Sequence, residues 1–381
     1  MNIRLPGLDL LRAVAIGWVM LYHLASYGIS FPAVVDDGWI GVDLFFVLSG
    51  YLIGWQFLKP FTCAQQPPWG QLCRQFLLRR ALRVLPAYLT VLAVYFVVPG
   101  ARESEAIAPL WQFLTFTTNL FPDYFHYRAY SHAWSLCVEE HFYLLLPAAV
   151  WLLARRPSCG ATVLAAVTVV VAGMVLRGWL WQHEVMPYLH VRSGERNAVL
   201  RYIEVIYNPT YTRLDGLLAG VMLAAIKGFR PRWWSRLLEW GWALLAAGLA
   251  GIGAVMWLEP TSRIGVVVVF PLLSASLACV VLAAMSPRTW IGRVPVPGMR
   301  QLAVLSFSLY LTHKQVYHWV HDKLGAALDE SDLLAFGTYN GAALAVAALL
   351  YVCVERPGLR LRERLSAAAA GRAPAAAQAG P

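Results

Sequence analysis

The sequence predicts an all-α fold, a polytopic integral membrane bundle of about ten transmembrane helices. Of the 381 residues, 59% are hydrophobic and 14% are charged, whereas about 25% of the residues of a soluble domain are charged. The apolar residues recur in runs of about 20, the length that crosses the hydrocarbon core of a bilayer as a helix. Lys and Arg cluster between these runs, as the positive-inside rule predicts for cytoplasmic loops.

Ten apolar runs have the composition of membrane spans. They are 8–28, 38–58, 84–100, 133–154, 161–182, 210–227, 236–258, 263–285, 302–321 and 333–354. The segment 107–125 is too short and too polar at its end to cross, and counting it would place Arg155 and Arg156 outside. We therefore expect this segment to be re-entrant or interfacial, between the third and fourth helices. The layout places both termini in the cytoplasm and most acidic residues in outer loops.

The net charge of +10 is spread over several short loops rather than gathered on one soluble face. We expect it to set the topology and to contact the headgroups of the lipid bilayer, so nucleic acid is not an expected partner. None of the six cysteines lies in a predicted outer loop, so structural disulfides are not expected. Neither HExxH nor CxxC occurs, and the sequence predicts no metal site.

Residues 1–357 are expected to form one transmembrane domain. Asp9 and Arg12 interrupt the first apolar run, which is atypical of a cleaved signal peptide, so we expect this run to be retained as the first helix. Residues 358–381 are basic and then rich in Ala, and we expect them to form a disordered cytoplasmic tail. No soluble domain is expected, which leaves the chemistry to the bundle or its short loops.

The first predicted helix carries Asp9, Arg12 and His23 within an apolar run. Each ionisable group at the centre of a membrane helix costs at least about 2.5 kcal/mol. Arg12 and His23 lie about 20° apart around the helix axis and about 16 Å apart along it, so they share one face. Asp9 is expected to pair with Arg12. The pattern indicates either a structural ion pair with one satisfied histidine, or a polar path from the cytoplasm to an imidazole that accepts a proton.

The fourth predicted helix carries a polar stripe. Ser135, Glu139 and Tyr143 recur at i, i+4 and i+8, which is one helix face, and Glu140 lies about 100° away. Two adjacent glutamates in an apolar helix are costly unless they are paired or used. They either face the outer water or serve a functional face, and the polar stripe favours Glu139 for that face.

Three arginines begin the third predicted helix: Arg79, Arg80 and Arg83. Arg79 or Arg80 shares a face with Arg83. Guanidinium groups bind phosphate well, and basic clusters beside a membrane also bind anionic lipid. Charge alone favours the lipid over a phosphate-bearing ligand.

Further polar residues occupy three other helices. Asp43 lies in the second apolar run, where it serves a site or pairs with an arginine. Tyr310 and His313 share the ninth helix with Lys314, a combination that is unusual within one span. Arg213 and Asp215 begin the sixth helix, where helix capping is the simpler interpretation.

Seven motifs occur in order between Leu8 and Pro357. They are an Arg–(ten residues)–His pair on the first helix, FFVLSGY, RRALRVLPAY, WSLCVEEHFY, TRLDG, SFSLYLTH and ERP. Each motif alone is weak evidence of a family, but the seven in this order resemble the pattern of the membrane-bound acyltransferase 3 family. The sequence departs from that pattern at Phe307, Thr312 and His141, where Tyr, an aromatic residue and Gln are common.

This resemblance implies an O-acyltransferase, most often an O-acetyltransferase, in the cytoplasmic (inner) membrane of a bacterium. Acyl groups would come from cytoplasmic acetyl-CoA or another acyl-CoA, as a substrate rather than a tightly bound cofactor. The acceptor would be a hydroxyl of an extracytoplasmic carbohydrate or lipid-linked glycan. The resemblance assigns catalysis to His23, the donor path to Arg12 and assistance to Glu139 or Glu140. It assigns the CoA phosphates to the three arginines of the third helix.

Acyl transfer from a thioester to an alcohol requires a base and stabilisation of the oxyanion. On this interpretation His23 removes the acceptor proton while Glu139 orients the imidazole or the acceptor; a covalent acyl-enzyme is the alternative. A proton-coupled transporter or flippase is the rival function, because intramembrane Arg, His and Glu also form ion relays. Against it, the chain shows no paired halves with broken helices. A non-enzymatic scaffold would not need ionisable groups on one helix face.

Overall fold

A computed structural model of the protein describes residues 5–63, 67–155, 158–189, 194–328 and 331–371, with side chains as far as residue 365. Its elements within these ranges are helices. The β-structure in this described part is an isolated bridge between Ile107 and Ala129. The all-α prediction is therefore confirmed. Arg156 and residues 372–381, the end of the predicted tail, lie outside the described residues.

The α-helices of the described ranges follow one another along the chain. They are α1 Pro6–Ala25, α2 Ile40–Leu58, α3 Trp69–Val97, α4 Leu110–Leu114, α5 Trp134–Ala154, α6 Cys159–Leu180, α7 Met186–Leu189, α8 Gly194–Tyr202, α9 Asp215–Phe229, α10 Pro231–Glu239, α11 Gly241–Trp257, α12 Arg263–Met285, α13 Trp290–Arg293, α14 Met299–Leu328, α15 Asp332–Leu350 and α16 Arg356–Gly371. Turns of π-helix at Trp181–Val185 and Tyr351–Glu355 join α6 to α7 and α15 to α16.

Seven helices of the described residues are long and apolar enough to cross a membrane, and an eighth span results if α10 and α11, bent by 76°, count as one. A helix also overlaps each of the ten predicted spans. Two of these helices do not qualify by length and composition: α9 has only 15 residues, and α14 carries polar residues such as His313 and Lys314 through its middle. The total of ten spans thus remains a prediction.

Two boundaries differ from the sequence-based expectation. Helix α3 begins at Trp69 rather than near residue 84, because its first turns already bury Leu72 and Phe76 at helical spacing. The arginines of α3 therefore lie inside the helix. After Pro357 the chain was expected to be disordered, but α16 continues to Gly371. Its Ala, Leu, Arg and Glu residues are strong helix formers, which composition alone does not distinguish from disorder.

The segment between α3 and α5 contains one short helix, α4, followed by turns. The Tyr88 hydroxyl of α3 donates a hydrogen bond to the Phe113 carbonyl oxygen at 3.0 Å, and Phe113 itself is buried. The segment is thus attached to the bundle without forming a helix long enough to cross it. Whether it is re-entrant in the bilayer remains a prediction.

Helix α2 lies at the centre of the bundle, against α9, α1 and α12. Its contact with α9 is close because small residues face each other there, as is common between membrane helices. A Cβ atom at Gly220 of α9 would overlap the backbone of α2 at Val47 and Tyr51. This contact depends on the missing side chain of Gly220.

Two buried ion pairs connect the ends of these helices. Arg213 Nη2 donates to Asp43 Oδ1 and Oδ2 at 3.1 and 2.9 Å, which joins the turn before α9 to α2. Arg177 Nη1 of α6 donates to Asp215 Oδ2 at 2.8 Å and to the Thr212 carbonyl oxygen at 2.7 Å. Both arginines are among the largest fully buried side chains of the described structure. Each charge therefore has a partner within the low-dielectric bundle.

We expect Gly220→Ala to lower the free energy of unfolding by about 1–3 kcal/mol, because the added methyl group forces α2 and α9 apart. Gly253→Ala is the matched control on α11, where a Cβ atom would meet no atom within 4 Å. There the better helix propensity of Ala leaves stability unchanged or raises it. Thermal unfolding in detergent measures both; equal melting temperatures would contradict the close packing.

Removing one member of a buried ion pair leaves the other charge without compensation. We expect Arg213→Met to destabilise the protein by about 3–5 kcal/mol. The double variant Asp43→Leu with Arg213→Met removes both charges and should recover much of this loss. Denaturation in detergent is the measurement, and a double variant as unstable as the single one would show that the two residues do not act as a pair.

Candidate active site

A cavity of about 270 Å³ opens among α1, α2, α3, α5, α14 and α16. Four arginines line it: Arg12, Arg80, Arg83 and Arg362. The carboxylate among its lining residues is that of Glu139. Three of these arginines and the glutamate were candidates from the sequence, and the structure brings them to one cavity. The excess of positive charge indicates a site for an anionic ligand.

Arg80 is the most deeply buried of the lining arginines. Its side chain is 6% exposed, and its Nη2 donates to Gln56 Oε1 at 3.1 Å. Its guanidinium carbon lies 5.9 Å from the centre of the Tyr143 ring. Its Nε atom is buried without a hydrogen-bond partner. A buried guanidinium with a free donor is costly unless an anion completes it.

Glu139 is held on the cavity wall by two hydroxyl groups. Ser49 donates to its Oε1 atom at 3.0 Å, and Tyr143 donates to its Oε2 atom at 2.8 Å. Tyr143 lies on the stripe that the sequence predicted for Glu139, whereas Ser49 belongs to α2. Glu140 is not among the lining residues. The structure thus places Glu139, but not Glu140, on the wall of the cavity.

His23 and His313 form a direct pair between α1 and α14. His23 Nδ1 lies 2.8 Å from His313 Nε2, and His313 Nδ1 lies 2.9 Å from the carbonyl oxygen of Leu309. A carbonyl oxygen only accepts, so His313 Nδ1 carries the hydrogen. Since His313 is completely buried, its ring is neutral and its Nε2 accepts. His23 Nδ1 is then the donor of this pair.

This chain of hydrogen bonds has a chemical consequence for His23. A neutral imidazole carries one hydrogen, and in His23 that hydrogen lies on Nδ1. Its Nε2 atom therefore keeps a lone pair, which is the state that a general base requires. His313 acts on this state only through His23, as a positioning residue.

A third histidine, which the sequence reasoning missed, completes the cluster. The His132 ring centre lies 5.4 Å from that of His313, and its Nδ1 atom is buried without a hydrogen-bond partner. His132 lies in the short 3₁₀ turn Ser131–Ala133 before α5. The spacing of an α-helix does not predict which residues lie beside it there. No group of three or more His, Cys, Asp or Glu that could hold a metal ion occurs in the part of the chain that the structure describes.

Tyr310 connects the histidine cluster to the cavity. It lines the cavity, and its ring centre lies 5.5 Å from that of His132 and 6.0 Å from that of His313. Its hydroxyl donates to the His132 carbonyl oxygen at 3.0 Å and lies 2.6 Å from Ser135 Oγ. The predicted residues Ser135 and Tyr310 thus form the boundary between the arginine-lined cavity and the imidazoles.

Other candidates lie away from this site. Asp9 and Arg12 form no direct ion pair among the described residues, although the Asp9 carboxylate attracts the Arg12 guanidinium. Arg12 lines the cavity instead, and Asp9 lies in the first turn of α1, where the helix dipole favours a carboxylate. Arg79 is not a lining residue. The candidates of the two buried ion pairs described above, Asp43, Arg213 and Asp215, connect helices rather than lining the cavity.

A family model described as an acyltransferase domain matches residues 5–352. A protein of Staphylococcus aureus (strain COL) named "Putative O-acetyltransferase" is 26% identical over 347 residues, covering 83% of this chain and 51% of that relative. The O-acetyltransferase OatA of S. aureus (strain NCTC 8325) is 30% identical over 237 residues, covering 58% of this chain and 34% of OatA. The chain thus spans about half the length, or less, of these relatives. No solved structure matches it.

The family match extends from the residue before α1 to the π-helical turn after α15. It contains all three clustered histidines and every lining residue of the cavity except Arg362. The resemblance that the motifs indicated is therefore confirmed, and the chain belongs to the membrane-bound acyltransferase 3 family.

Proposed function

We propose that this protein is an integral-membrane O-acetyltransferase that moves an acetyl group from cytoplasmic acetyl-CoA to a hydroxyl of an extracytoplasmic carbohydrate or lipid-linked glycan. The family and the O-acetyltransferase names of the relatives support the reaction class. The observation that carries the assignment of residues is the arrangement around Tyr310. An arginine-lined cavity lies on one side of it and the His23–His313 pair on the other.

In the proposed reaction His23 is the catalytic base. Its Nε2 atom takes the proton of the acceptor hydroxyl while the hydroxyl oxygen attacks the thioester carbonyl carbon. The tetrahedral intermediate then collapses, the carbon–sulfur bond breaks, and the CoA sulfur leaves with the proton that His23 returns. His313 keeps the base in one tautomer, because its Nε2 atom accepts from His23 Nδ1 before and after the proton is taken.

The donor phosphates are proposed to lie among the arginines of the cavity. Arg80 and Arg83 of α3 face the cavity together with Arg12 of α1, and guanidinium groups recognise phosphate by charge-assisted hydrogen bonds. Glu139 lies among these charges and is fixed through both oxygens. We assign it to holding the arginines and the reacting end of the donor in place, in the role of an assisting residue.

The proposed topology has ten spans with both termini in the cytoplasm of a bacterium. The basic segments at the ends of α9 and α12 and in the first half of α3 would then face the cytoplasm, as the positive-inside rule requires. The arginine-lined cavity would open to the compartment that contains acetyl-CoA. Acceptor molecules would approach the histidine cluster from the opposite side.

His23→Ala should lower the transfer of labelled acetyl groups from acetyl-CoA to envelope glycans by about 10²–10⁴-fold, because it removes the general base. His313→Ala should cause a smaller loss, since the base remains but its tautomer is no longer fixed. His318→Ala is the matched control on α14 and should retain activity. The assay uses purified protein in vesicles, with folding checked by size-exclusion chromatography.

Full transfer by a folded His23→Ala protein would contradict the catalytic assignment. Movement of glycan across the vesicle membrane without any need for acetyl-CoA would instead favour a transporter or flippase. Labelled acetyl retained on the protein in the absence of acceptor would indicate a covalent acyl-enzyme in place of direct transfer.

Glu139→Gln and Glu140→Gln separate the two neighbouring carboxylates. Glu139→Gln removes the negative charge from the cavity wall, so we expect kcat/KM for acetyl-CoA to fall by about tenfold or more, the equivalent of about 1.4 kcal/mol in the transition state. Glu140→Gln, away from the cavity, should have the smaller effect. The reverse order of effects would move the functional role to Glu140.

A further inference from the structure

The last helix, α16, lies beyond the region that the family model matches, residues 5–352. It packs along α3, the helix that carries Arg80 and Arg83. At Gly358 the two helices approach so closely that a Cβ atom would lie 3.0 Å from the Leu82 carbonyl oxygen and 3.2 Å from Pro86 Cγ. The position of α16 on the bundle is therefore specific rather than loose.

Arg362 follows Gly358 by four positions, so it lies on the same face of α16 one turn later. This face is directed at α3, and Arg362 is one of the residues that line the cavity. Its neighbours Arg360 and Arg364 are exposed and are not lining residues. Of these three arginines, Arg362 is therefore the one whose position on α16 places it at the cavity.

The charges of the cavity are not balanced by its own side chains. Four arginines line it against one glutamate, and both oxygens of Glu139 already accept hydrogen bonds from hydroxyl groups. Arg80 Nε is buried and has no hydrogen-bond partner. Carboxylates outside the lining, such as Asp9 and Glu140, attract Arg12 and Arg80, and a ligand with more than one negative charge would compensate the remaining repulsion.

We propose that Arg362 binds a phosphate group of the acyl-CoA donor, so that α16 forms one wall of the donor site. This assignment rests on the proposed function and extends it to a part of the chain outside the family match. The shared chemistry is phosphate recognition by a convergent arginine cluster. An anionic lipid headgroup offers the same chemistry, but the cavity is lined by residues of six helices rather than lying on one exposed face, which favours the soluble donor.

The test measures CoA binding by the full-length protein in phosphatidylcholine vesicles. Arg362→Gln should raise the Kd for CoA by about ten- to one-hundred-fold, the loss expected for one charge-assisted hydrogen-bonded contact. Arg364→Gln, exposed on the same helix, is the matched control and should change the Kd by less than about threefold. Arg362→Lys should recover part of the affinity, because Lys has the positive charge of Arg but lacks the paired N–H donors of the guanidinium group.

Two further measurements separate direct phosphate binding from a structural role. Pantetheine, which lacks the phosphates, should be bound equally by the wild-type protein and by the Arg362→Gln and Arg364→Gln variants. In the transfer assay Arg362→Gln should raise KM for acetyl-CoA and leave kcat at saturating donor nearly unchanged. A fall in kcat with unchanged KM would overturn the assignment.

The remaining outcomes distinguish the two proposals. No CoA binding by the wild-type protein would overturn the proposed function and this assignment with it. Normal CoA binding and transfer by wild-type protein, with the same Kd in Arg362→Gln, would overturn the role of Arg362 alone. If phosphatidylglycerol in the vesicles competes with CoA in the wild-type protein but not in Arg362→Gln, and Arg362→Gln binds CoA normally in phosphatidylcholine, the partner of Arg362 is lipid and the assignment fails.

Discussion

An ionised side chain inside a membrane bundle persists only where a partner or a ligand compensates for its lost hydration, and the polar residues of this protein are organised by that constraint. Arg213 meets it through both oxygens of Asp43, and Arg177 through Asp215. These charges are neutralised within the protein, so they contribute to its architecture. Arg213 also has buried nitrogen atoms without a partner, but the Asp43 carboxylate compensates its charge. Arg80 has no such ion pair among the described residues, because its Nη2 atom donates to the neutral Gln56 side chain and its Nε atom has no partner. Its charge therefore differs from those that a carboxylate already compensates.

The same constraint determines the state of the histidines. A protonated His313 would be a buried charge with no carboxylate among its hydrogen-bond partners, which are the carbonyl oxygens of its own helix and His23. Neutrality follows, and with it a single direction of hydrogen bonding through the pair. Burial thus leaves a lone pair on His23 Nε2 without a neighbouring acid, which is the state that the proposed base requires. This differs from catalytic triads, where a carboxylate fixes the imidazole.

Helix periodicity was enough to predict much of this site. The spacing of Arg12 and His23 on α1, and of Ser135, Glu139 and Tyr143 on α5, follows from one helix at a time. The pair between His23 and His313 spans 290 positions, and no single-helix pattern contains that information. His132 was not predicted because α-helical periodicity does not apply to its position. It lies in a 3₁₀ turn that follows Tyr130, a residue with a positive φ of 57°. Arg362 was not predicted because the composition of residues 358–381 indicated disorder. In the structure, α16 is a helix that packs against α3.

The π-helical turn at Tyr351–Glu355 has an effect on everything that follows it. Such a turn holds one more residue than an α-helical turn, so it rotates the next helix by about 100° relative to an uninterrupted helix. Glu355 is anchored there by the Ser308 hydroxyl at 2.8 Å, which ties the rotation to α14. The number of residues in this turn therefore determines which face of α16 is directed at the cavity, and hence which of its side chains lines the cavity. An insertion or deletion of one residue in this turn would rotate α16 by about 100° and turn Arg362 away from the cavity.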